Sequence, residues 1–126
     1  SGTDGLRCVW TGEPLGRRKW DVDHAIPFSL WRNNDLWNLF PAASRANNSK
    51  RDSLPSRRLV TARRPQIQET WELVAETWST RFFAEARIFG AALKHTDPGW
   101  PDHLFHAFAE ALEFTALQRG ASRWEP

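Results

Sequence analysis

Residues 22–56 have the sequence VDHAIPFSLWRNNDLWNLFPAASRANNSKRDSLPS, and this stretch contains the residues that decide the fold. It begins inside an alternating segment, Lys19 to Ile26, whose side chains fall on two faces: Trp20, Val22 and His24 on one, Asp21 and Asp23 on the other. Alternation of this period is typical of a β-strand. Because Pro27 has no backbone N–H for a strand ladder, we predict that the strand ends there.

The next part of the stretch predicts a second strand and then a short helix. Leu36 to Phe40 has the composition of a strand, and we expect Pro41 to stop it. Ser44 has the side chain of a helix N-cap, so a helix is expected from there to about Asp52. Ser56, after the break at Pro55, is a candidate cap for a further helical turn.

The chain after Pro65 has a helical pattern. Apolar residues recur three or four apart, which predicts one amphipathic helix ending near Gly90 or just beyond Leu93. After a turn at Asp97-Pro98-Gly99, a last helix is expected from about Pro101 to Gln118, stopped by Gly120. The faces are Ile67, Trp71, Val74, Trp78, Phe82, Ala86, Phe89 and Leu93 in the first helix, and Leu104, Phe108, Leu112 and Thr115 in the second. We therefore predict a strand–strand–helix unit with a two-helix support.

Four polar side chains of the stretch have the chemistry of a metal-dependent hydrolase. A strand–loop–strand–helix unit can bring Asp23, His24, Asn38 and Asn47 together. Asp23 and Asn47 supply the oxygen ligands that Mg²⁺ or Mn²⁺ prefers. A histidine side chain can accept a proton from water near neutral pH, so His24 is a candidate general base. An oxygen of Asn38 would hold the other nitrogen of His24 and so fix its tautomer.

The spacing of these residues resembles the signature of the HNH endonuclease family, and is most similar to the HNH nuclease domain of RNA-guided CRISPR effectors. The register agrees at Asp23, His24, Asn38, Asn47, Lys50, Asp52 and Pro55-Ser56, over about 35 residues. The resemblance implies an α+β fold with a ββα-metal core of two short antiparallel strands and a helix. We expect this core in residues 1–64 and the two-helix support, packed on it, in residues 65–126.

The same resemblance implies a role for each matched residue. Asp23 and Asn47 would bind one Mg²⁺ or Mn²⁺, and His24 would activate the attacking water. Asn38 would orient His24, and Lys50 would steady the helix or a phosphate. The implied reaction is hydrolysis of a DNA phosphodiester, one strand per active site, in which the metal stabilises charge on the phosphorus oxygens and the departing 3′ oxygen.

The chain departs from the family pattern at two places. Many HNH proteins hold a structural zinc with two cysteine pairs, but here Thr11 stands where the partner of Cys8 would be, and Ala43 and Ala46 occupy the spacing of the second pair. One thiolate cannot complete a four-ligand zinc site, so no structural zinc is expected, and Cys8 is predicted to be a buried small hydrophobe. Asn47, in place of a final His, favours Mg²⁺ coordination.

The charge is unevenly distributed along the chain. Residues 1–64 hold 12 Lys or Arg against 6 Asp or Glu, a net +6, whereas residues 65–126 hold 5 against 9, a net −4. Such asymmetry indicates a surface that faces a polyanion. The candidate phosphate contacts are Arg45, Lys50, Arg51, Arg57, Arg58, Arg63 and Arg64, with Arg17, Arg18 and Lys19 as a possible extension. A solvated helix face is the alternative.

Composition bounds the class of protein. The chain has 126 residues, 40% hydrophobic and 25% charged, which is ordinary for a globular domain and excludes a disordered chain. With one cysteine and no apolar run of the roughly 18 residues that a membrane span needs, we expect a cytoplasmic protein without membrane contact. Ser1-Gly2 and the lack of methionine favour a domain cut from a longer protein.

Other interpretations stay open. The fold could serve as a nucleic-acid-binding module without catalysis, or its Trp-rich helices could dock it on a larger protein or ribonucleoprotein complex, such as a CRISPR effector or another antiviral defence system. A toxin nuclease with an immunity protein is a further alternative. Trp31 or Trp37 could be exposed for nucleic-acid contact, while the aromatic stripe of the first long helix is expected in the core. His95, His103 and His106 could form a second metal site, although capping or packing is the commoner role.

Overall fold

The structure, a computed structural model, describes residues 5–91 and 93–126, so Ser1-Gly2 lies outside the described residues. The N-terminal half contains β1 (Trp20–His24), β2 (Leu39–Ala43), α1 (Ser44–Lys50), β3 (Leu54–Pro55) and α2 (Arg57–Ala62). The C-terminal half contains α3 (Arg64–Thr77), α4 (Ser79–Ala86), α5 (Trp100–Arg119) and β4 (Arg123–Trp124). Short 3₁₀ helices cover Leu36–Asn38 and Arg87–Phe89. The predicted α+β class, a ββα core with a helical extension, is confirmed.

The second strand begins and ends later than predicted, and it contains Pro41. β1 and β2 are antiparallel, with Val22 opposite Pro41. Backbone hydrogen bonds run from Ala25 N to Asn38 O and from Ser44 N to Lys19 O, so these two opposed pairs are hydrogen-bonded pairs of the ladder. Because such pairs alternate along an antiparallel ladder, Pro41 falls at a position where no N–H is needed toward β1. Residues 36–38, predicted as strand, form the 3₁₀ helix instead.

The two predicted helix caps have different outcomes. The Oγ of Ser56 accepts a hydrogen bond from Leu59 N at 3.0 Å, which confirms Ser56 as the N-cap of α2. Ser44 is wrong as an N-cap, because it is the first residue of α1 and its buried Oγ has no hydrogen-bond partner in the described chain. The helix ends at Lys50, earlier than the predicted Asp52.

The long helix predicted after Pro65 is divided. α3 ends at Thr77, Trp78 leaves the helical region with φ −129° and ψ 58°, and α4 starts at Ser79. Trp78 is 56% exposed, so its predicted place in the core is wrong. The break redirects the chain so that Phe82 and Phe83 are buried, with ring centroids 5.5 Å and 5.1 Å from that of Trp100. A periodic pattern does not reveal a break of this kind, because the spacing continues across it.

The last helix agrees with its prediction. α5 buries the predicted face, including Leu104, Phe108 and Leu112, and ends at Gly120 in the left-handed conformation with φ 58°. Glycine adopts this conformation without a steric penalty, which explains the stop. The chain then returns to the N-terminal half, where β4 pairs in parallel with β3.

One aromatic core joins the two halves of the chain. Phe40 of β2 packs against Trp71 of α3 and Phe108 of α5, at centroid distances of 6.3 Å and 5.9 Å. The indole N–H of Trp71 donates to the carbonyl of Trp37 at 2.9 Å. Cys8 is fully buried, as predicted. The division into residues 1–64 and 65–126 stays a prediction. No helix in the described parts of the chain is long and apolar enough to cross a membrane.

Candidate functional site

The end of β1 and one face of α1 carry four of the predicted site residues. Asp23 and His24 are the last two residues of β1, and α1, which carries Asn47 and Lys50, contacts both strands. Within the strand Asp23 is 5% exposed, whereas Val22 is 58% exposed. The polar face of β1, and not its apolar face, therefore lies against the helix. This reversal is unusual for a strand and marks the carboxylate as a group with a role in the interior.

Asp23 is held by two donors. Its Oδ2 accepts a hydrogen bond from the indole Nε1 of Trp10 at 2.7 Å, and Lys50 Nζ lies 3.3 Å from the same oxygen. Lys50 Nζ also donates to the backbone carbonyl of His24 at 2.9 Å. Both donors approach Oδ2, and the hydrogen bonds of the described residues leave the other carboxylate oxygen, Oδ1, without a donor.

The burial of this pair affects both ionisations. Desolvation raises the pKa of Asp23 above its ordinary value, opposed by the attraction of Lys50 and the hydrogen bond from Trp10. Desolvation likewise lowers the pKa of Lys50, opposed by the attraction of Asp23. Each charge is thus costly in this interior and depends on the other for stabilisation.

His24 has a defined partner on one ring nitrogen. Its Nε2 lies 2.6 Å from Oδ1 of Asn34, in the loop between β1 and β2. The edge of the ring contacts Phe28, with centroids 5.8 Å apart. In the part of the chain that the structure describes, Nδ1 makes no hydrogen bond. Nδ1 is therefore the ring nitrogen available to a substrate or water.

Asn38 does not contact His24, contrary to the prediction that it holds the imidazole. Its Oδ1 accepts from Ile26 N at 2.8 Å, and its Nδ2 donates to the carbonyls of Ile26 and Asn33 at 3.0 Å and 3.2 Å. The side chain is fully buried, and these bonds satisfy backbone groups of Ile26 and Asn33 within the active-site loop, defined as residues 25–37. Asn38 therefore closes this loop, and the structure gives the contact with His24 to Asn34.

Asn47 faces a second carboxylate. Its Nδ2 donates to Asp21 Oδ2 at 3.1 Å, so the amide oxygen of Asn47 is left for another ligand. Asp21 and Asp23 lie on the same face of β1, because side chains two residues apart in a strand share a face. The site thus presents oxygen atoms from two carboxylates and an amide.

The C-terminal histidines do not form a second centre. Within residues 5–91 and 93–126, no group of three or more His, Cys, Asp or Glu side chains is arranged to hold a metal ion. Nδ1 of His103 lies 3.0 Å from Asp97, beside the turn that precedes α5. His103 thus has a carboxylate partner near the start of α5 and is not part of a metal cluster.

The predicted basic cluster is divided between free and engaged side chains. Arg51 and Arg57 are exposed and make no ion pair within the described ranges, and Arg45 is exposed at 3.4 Å from Glu13. The other members have partners: Lys50 with Asp23, Arg58 with Glu125, Arg63 with the carbonyl of Val9, and Arg64 with Asp102. Lys50 is fully buried, so its place is in the interior of the site.

Sequence reasoning did not single out several residues that the structure places at the site. Trp10 is 13 residues from its partner Asp23 in the sequence, and Asn34 is 10 residues from its partner His24. Separations of this length are not revealed by a local sequence pattern. Asp21 had a visible signal, because it alternates with Asp23 on one strand face. Phe28 is 43% exposed beside His24, whereas Trp37, a predicted contact, is fully buried, and Trp31 is half-buried.

Comparison with known proteins concerns the segment that carries these residues. A family model described as HNH endonuclease matches residues 8–56, from Cys8 to the cap of α2. The matched segment contains Trp10, β1, the active-site loop, β2 and α1, and covers less than half of the 126 residues. No curated protein and no solved structure gives a significant match. Residues 8–56 are therefore similar to HNH endonucleases, which supports a nuclease that binds nucleic acid and uses a divalent metal.

Proposed function

We propose that this protein is a Mg²⁺- or Mn²⁺-dependent endonuclease that hydrolyses DNA phosphodiester bonds, one strand per active site. The observation that carries the proposal is that the segment similar to HNH endonucleases contains a buried carboxylate and, on the next residue, an imidazole with a free nitrogen. Asp23 and His24 supply these two groups from consecutive residues of β1.

No three His, Cys, Asp or Glu side chains of the described residues form a metal cluster, but the oxygen atoms of the site have the chemistry that a hard divalent cation prefers. Mg²⁺ binds through one or two carboxylates, keeps several waters and completes its shell with substrate phosphate oxygens. Asp23 Oδ1 and the amide oxygen of Asn47 are the oxygen atoms that the hydrogen bonds of the site leave free to bind a metal ion. Lys50 balances the charge of Asp23, and Asp21 leaves a net negative charge that favours a cation. Asp23 and Asn47 would hold the ion, with Asp21 beside them.

The proposed reaction assigns one task to each side chain. His24 Nδ1 takes a proton from the water that attacks phosphorus. When bound, the cation stabilises charge on the phosphate oxygens and on the departing oxygen. Lys50 holds the carbonyl of His24 and the carboxylate of Asp23, and therefore positions both without touching substrate. The exposed Arg45, Arg51 and Arg57 would contact phosphates, which makes binding weaker as salt increases.

The wider setting of the proposal rests on the motif. The spacing of Asp23-His24, Asn38, Asn47 and Lys50 is most similar to the HNH domain of RNA-guided CRISPR effectors, so we propose that the domain belongs to such an effector or another antiviral defence system. A catalytically inactive binding or docking module with the same fold is the alternative. It predicts DNA binding without cleavage.

Nicking of a supercoiled plasmid tests the proposed function. We expect conversion to the open circle with Mg²⁺ or Mn²⁺ and none with EDTA. His24→Ala should lower the rate by about 10²- to 10⁴-fold, the usual contribution of a general base. His103→Ala, an exposed histidine paired with Asp97, is the matched control and should cleave like the unaltered protein. If the folded protein binds the plasmid but does not cleave it with either metal, the inactive module is the correct interpretation.

A further inference from the structure

We propose that Asn34 is a positioning residue that fixes the tautomer and the orientation of His24, so that Nδ1 is the proton-accepting nitrogen. The catalytic part of this inference rests on the proposed nuclease function, but the tautomer itself does not. The motif places no requirement on Asn34, and the evidence is the geometry of the active-site loop around it.

The first step of the argument concerns the hydrogen bond itself. An amide oxygen has no proton, so Oδ1 of Asn34 can only accept. At 2.6 Å from Nε2, it requires the hydrogen of neutral His24 to be on Nε2. The lone pair is then on Nδ1, which has no hydrogen-bond partner in the described ranges. A single contact thereby determines which nitrogen can act as a base.

The second step concerns what holds Asn34 in place, because an exposed side chain does not by itself define a direction. Its neighbour Asn33 is 8% exposed, and the Oδ1 of Asn33 accepts from Asp35 N at 2.8 Å. The carbonyl of Asn33 accepts from Asn38 Nδ2 at 3.2 Å. Asp35 Oδ2 accepts from the indole of the fully buried Trp37 at 3.0 Å. The residues on both sides of Asn34 are thus fixed to the core.

The third step concerns the helical half of the chain. Glu85 of α4 accepts a hydrogen bond from Leu36 N at 2.7 Å, two residues after Asn34. Glu85 is itself oriented by Arg81 at 3.0 Å. Phe28 also contacts the ring of His24. The imidazole is therefore in contact with an aromatic side chain and with a loop asparagine whose neighbouring backbone is bound to α4.

The experiment compares Asn34→Ala, which removes the acceptor, with Asn34→Asp, which keeps an oxygen at the same distance along the side chain. Ser29→Ala is the matched control, since Ser29 is exposed in the same loop and makes no hydrogen bond among the described residues. Long-range ¹⁵N–¹H NMR of the histidine rings reports the tautomer of neutral His24, assigned with His24→Gln. Plasmid nicking gives kcat and KM for each variant.

The expected results separate positioning from a structural role. The unaltered protein, Ser29→Ala and Asn34→Asp should show His24 protonated on Nε2, while Asn34→Ala should show a mixture of tautomers. In Asn34→Ala we expect kcat to fall by about 10- to 100-fold with KM nearly unchanged, the usual effect of removing a partner of a functional imidazole. The thermal unfolding midpoint should not change.

Two outcomes overturn the inference. If His24 is protonated on Nδ1 in the unaltered protein, or if Asn34→Ala keeps the Nε2 tautomer and full kcat, Asn34 does not position the base. The second outcome leaves the proposed nuclease intact. If the unaltered protein cleaves nothing, the proposed function fails, while the NMR comparison still decides whether Asn34 fixes the tautomer.

Discussion

Lys50 is the residue on which the buried part of the site depends. Its side chain is fully buried, and it is the cation that faces Asp23 and the carbonyl of His24. Taking two charges out of water costs several kcal/mol per ion, and their attraction offsets that cost while both are present. The basic residue that the motif placed among phosphate contacts therefore acts inside the fold.

Lys50→Met should destabilise the protein strongly. It leaves the Asp23 carboxylate buried with Trp10 as its remaining donor, and losses of about 3–5 kcal/mol are usual when one partner of a buried pair is removed. Urea denaturation monitored by tryptophan fluorescence measures the change in the free energy of unfolding. Lys94→Met is the control, because Lys94 is exposed and should change stability by less than about 0.5 kcal/mol.

A double variant checks the cause. Asp23→Asn combined with Lys50→Met removes both charges, so we expect it to be more stable than Lys50→Met alone. If Lys50→Met costs under about 1 kcal/mol, or if the double variant is the less stable of the two, the ion pair does not carry the stabilisation assigned to it.

Individual elements show where local sequence is sufficient and where it is not. The alternation of β1, the Ser56 cap and the Gly120 stop are local, and the structure confirms each of them. The prediction that Pro41 stops the second strand was wrong, because a proline interrupts a strand only where its N–H is needed, and that position is set by the pairing with β1. After the break at Trp78, Phe82 and Phe83 pack against Trp100, which lies about 20 residues further along the chain, so the local sequence does not reveal the break.

The candidate site divides in the same manner. Asp23, His24, Asn38 and Asn47 could be named as candidates because their identities and spacing recur in a signature. Asn34 and Trp10 could not, because a hydrogen-bond partner contributed by a loop has no periodicity. Asn38 does not contact His24 because the backbone groups of Ile26 and Asn33 use the side-chain amide of Asn38.

At the same scale, two backbone hydrogen bonds join the end of the chain to β3, and the side chain of Arg123 in β4 contacts both β3 and α5. Arg123 donates to the carbonyl of Pro55 at 2.9 Å and to Glu113 of α5 at 2.7 Å. The hydrogen bond from Arg123 holds the pKa of Glu113 below its ordinary value of 4.5, with burial opposing it. Both side chains are about a third exposed, so solvent screens the pair.

Glu113→Gln should therefore reduce stability modestly, by less than about 1 kcal/mol at neutral pH. Since the folded-state pKa is lowered, the contribution is present above pH 4.5 and is lost as the pH falls through the folded-state pKa. Thermal unfolding from pH 7 to pH 3 should show the two proteins converging at low pH. Glu72→Gln, on the exposed face of α3, is the control. A difference that grows as the pH falls would contradict this assignment.

Considered as a whole, the molecule has one core to which both halves contribute. Trp71 and Phe108, from α3 and α5, pack with their rings perpendicular at 5.3 Å and cover Phe40 of β2. Trp124 of β4 meets Trp10 at 6.4 Å and donates to Ser49 Oγ at 3.1 Å. Trp10 in turn donates a hydrogen bond to Asp23. The last strand of the chain therefore packs against the tryptophan that binds the Asp23 carboxylate.

This arrangement predicts that residues 5–64 do not fold alone, although they contain every residue assigned to catalysis. Without the helices, Trp37 and Phe40 would lose the aromatic rings that cover them, and a unit of about 60 residues is marginal even with an intact core. Circular dichroism and urea titration should show no cooperative transition for this fragment. Adding residues 65–126 as a separate chain should restore the transition and, with it, metal-dependent nicking. A cooperative transition in the fragment alone would show instead that the ββα unit is an independent domain with the helices as an accessory.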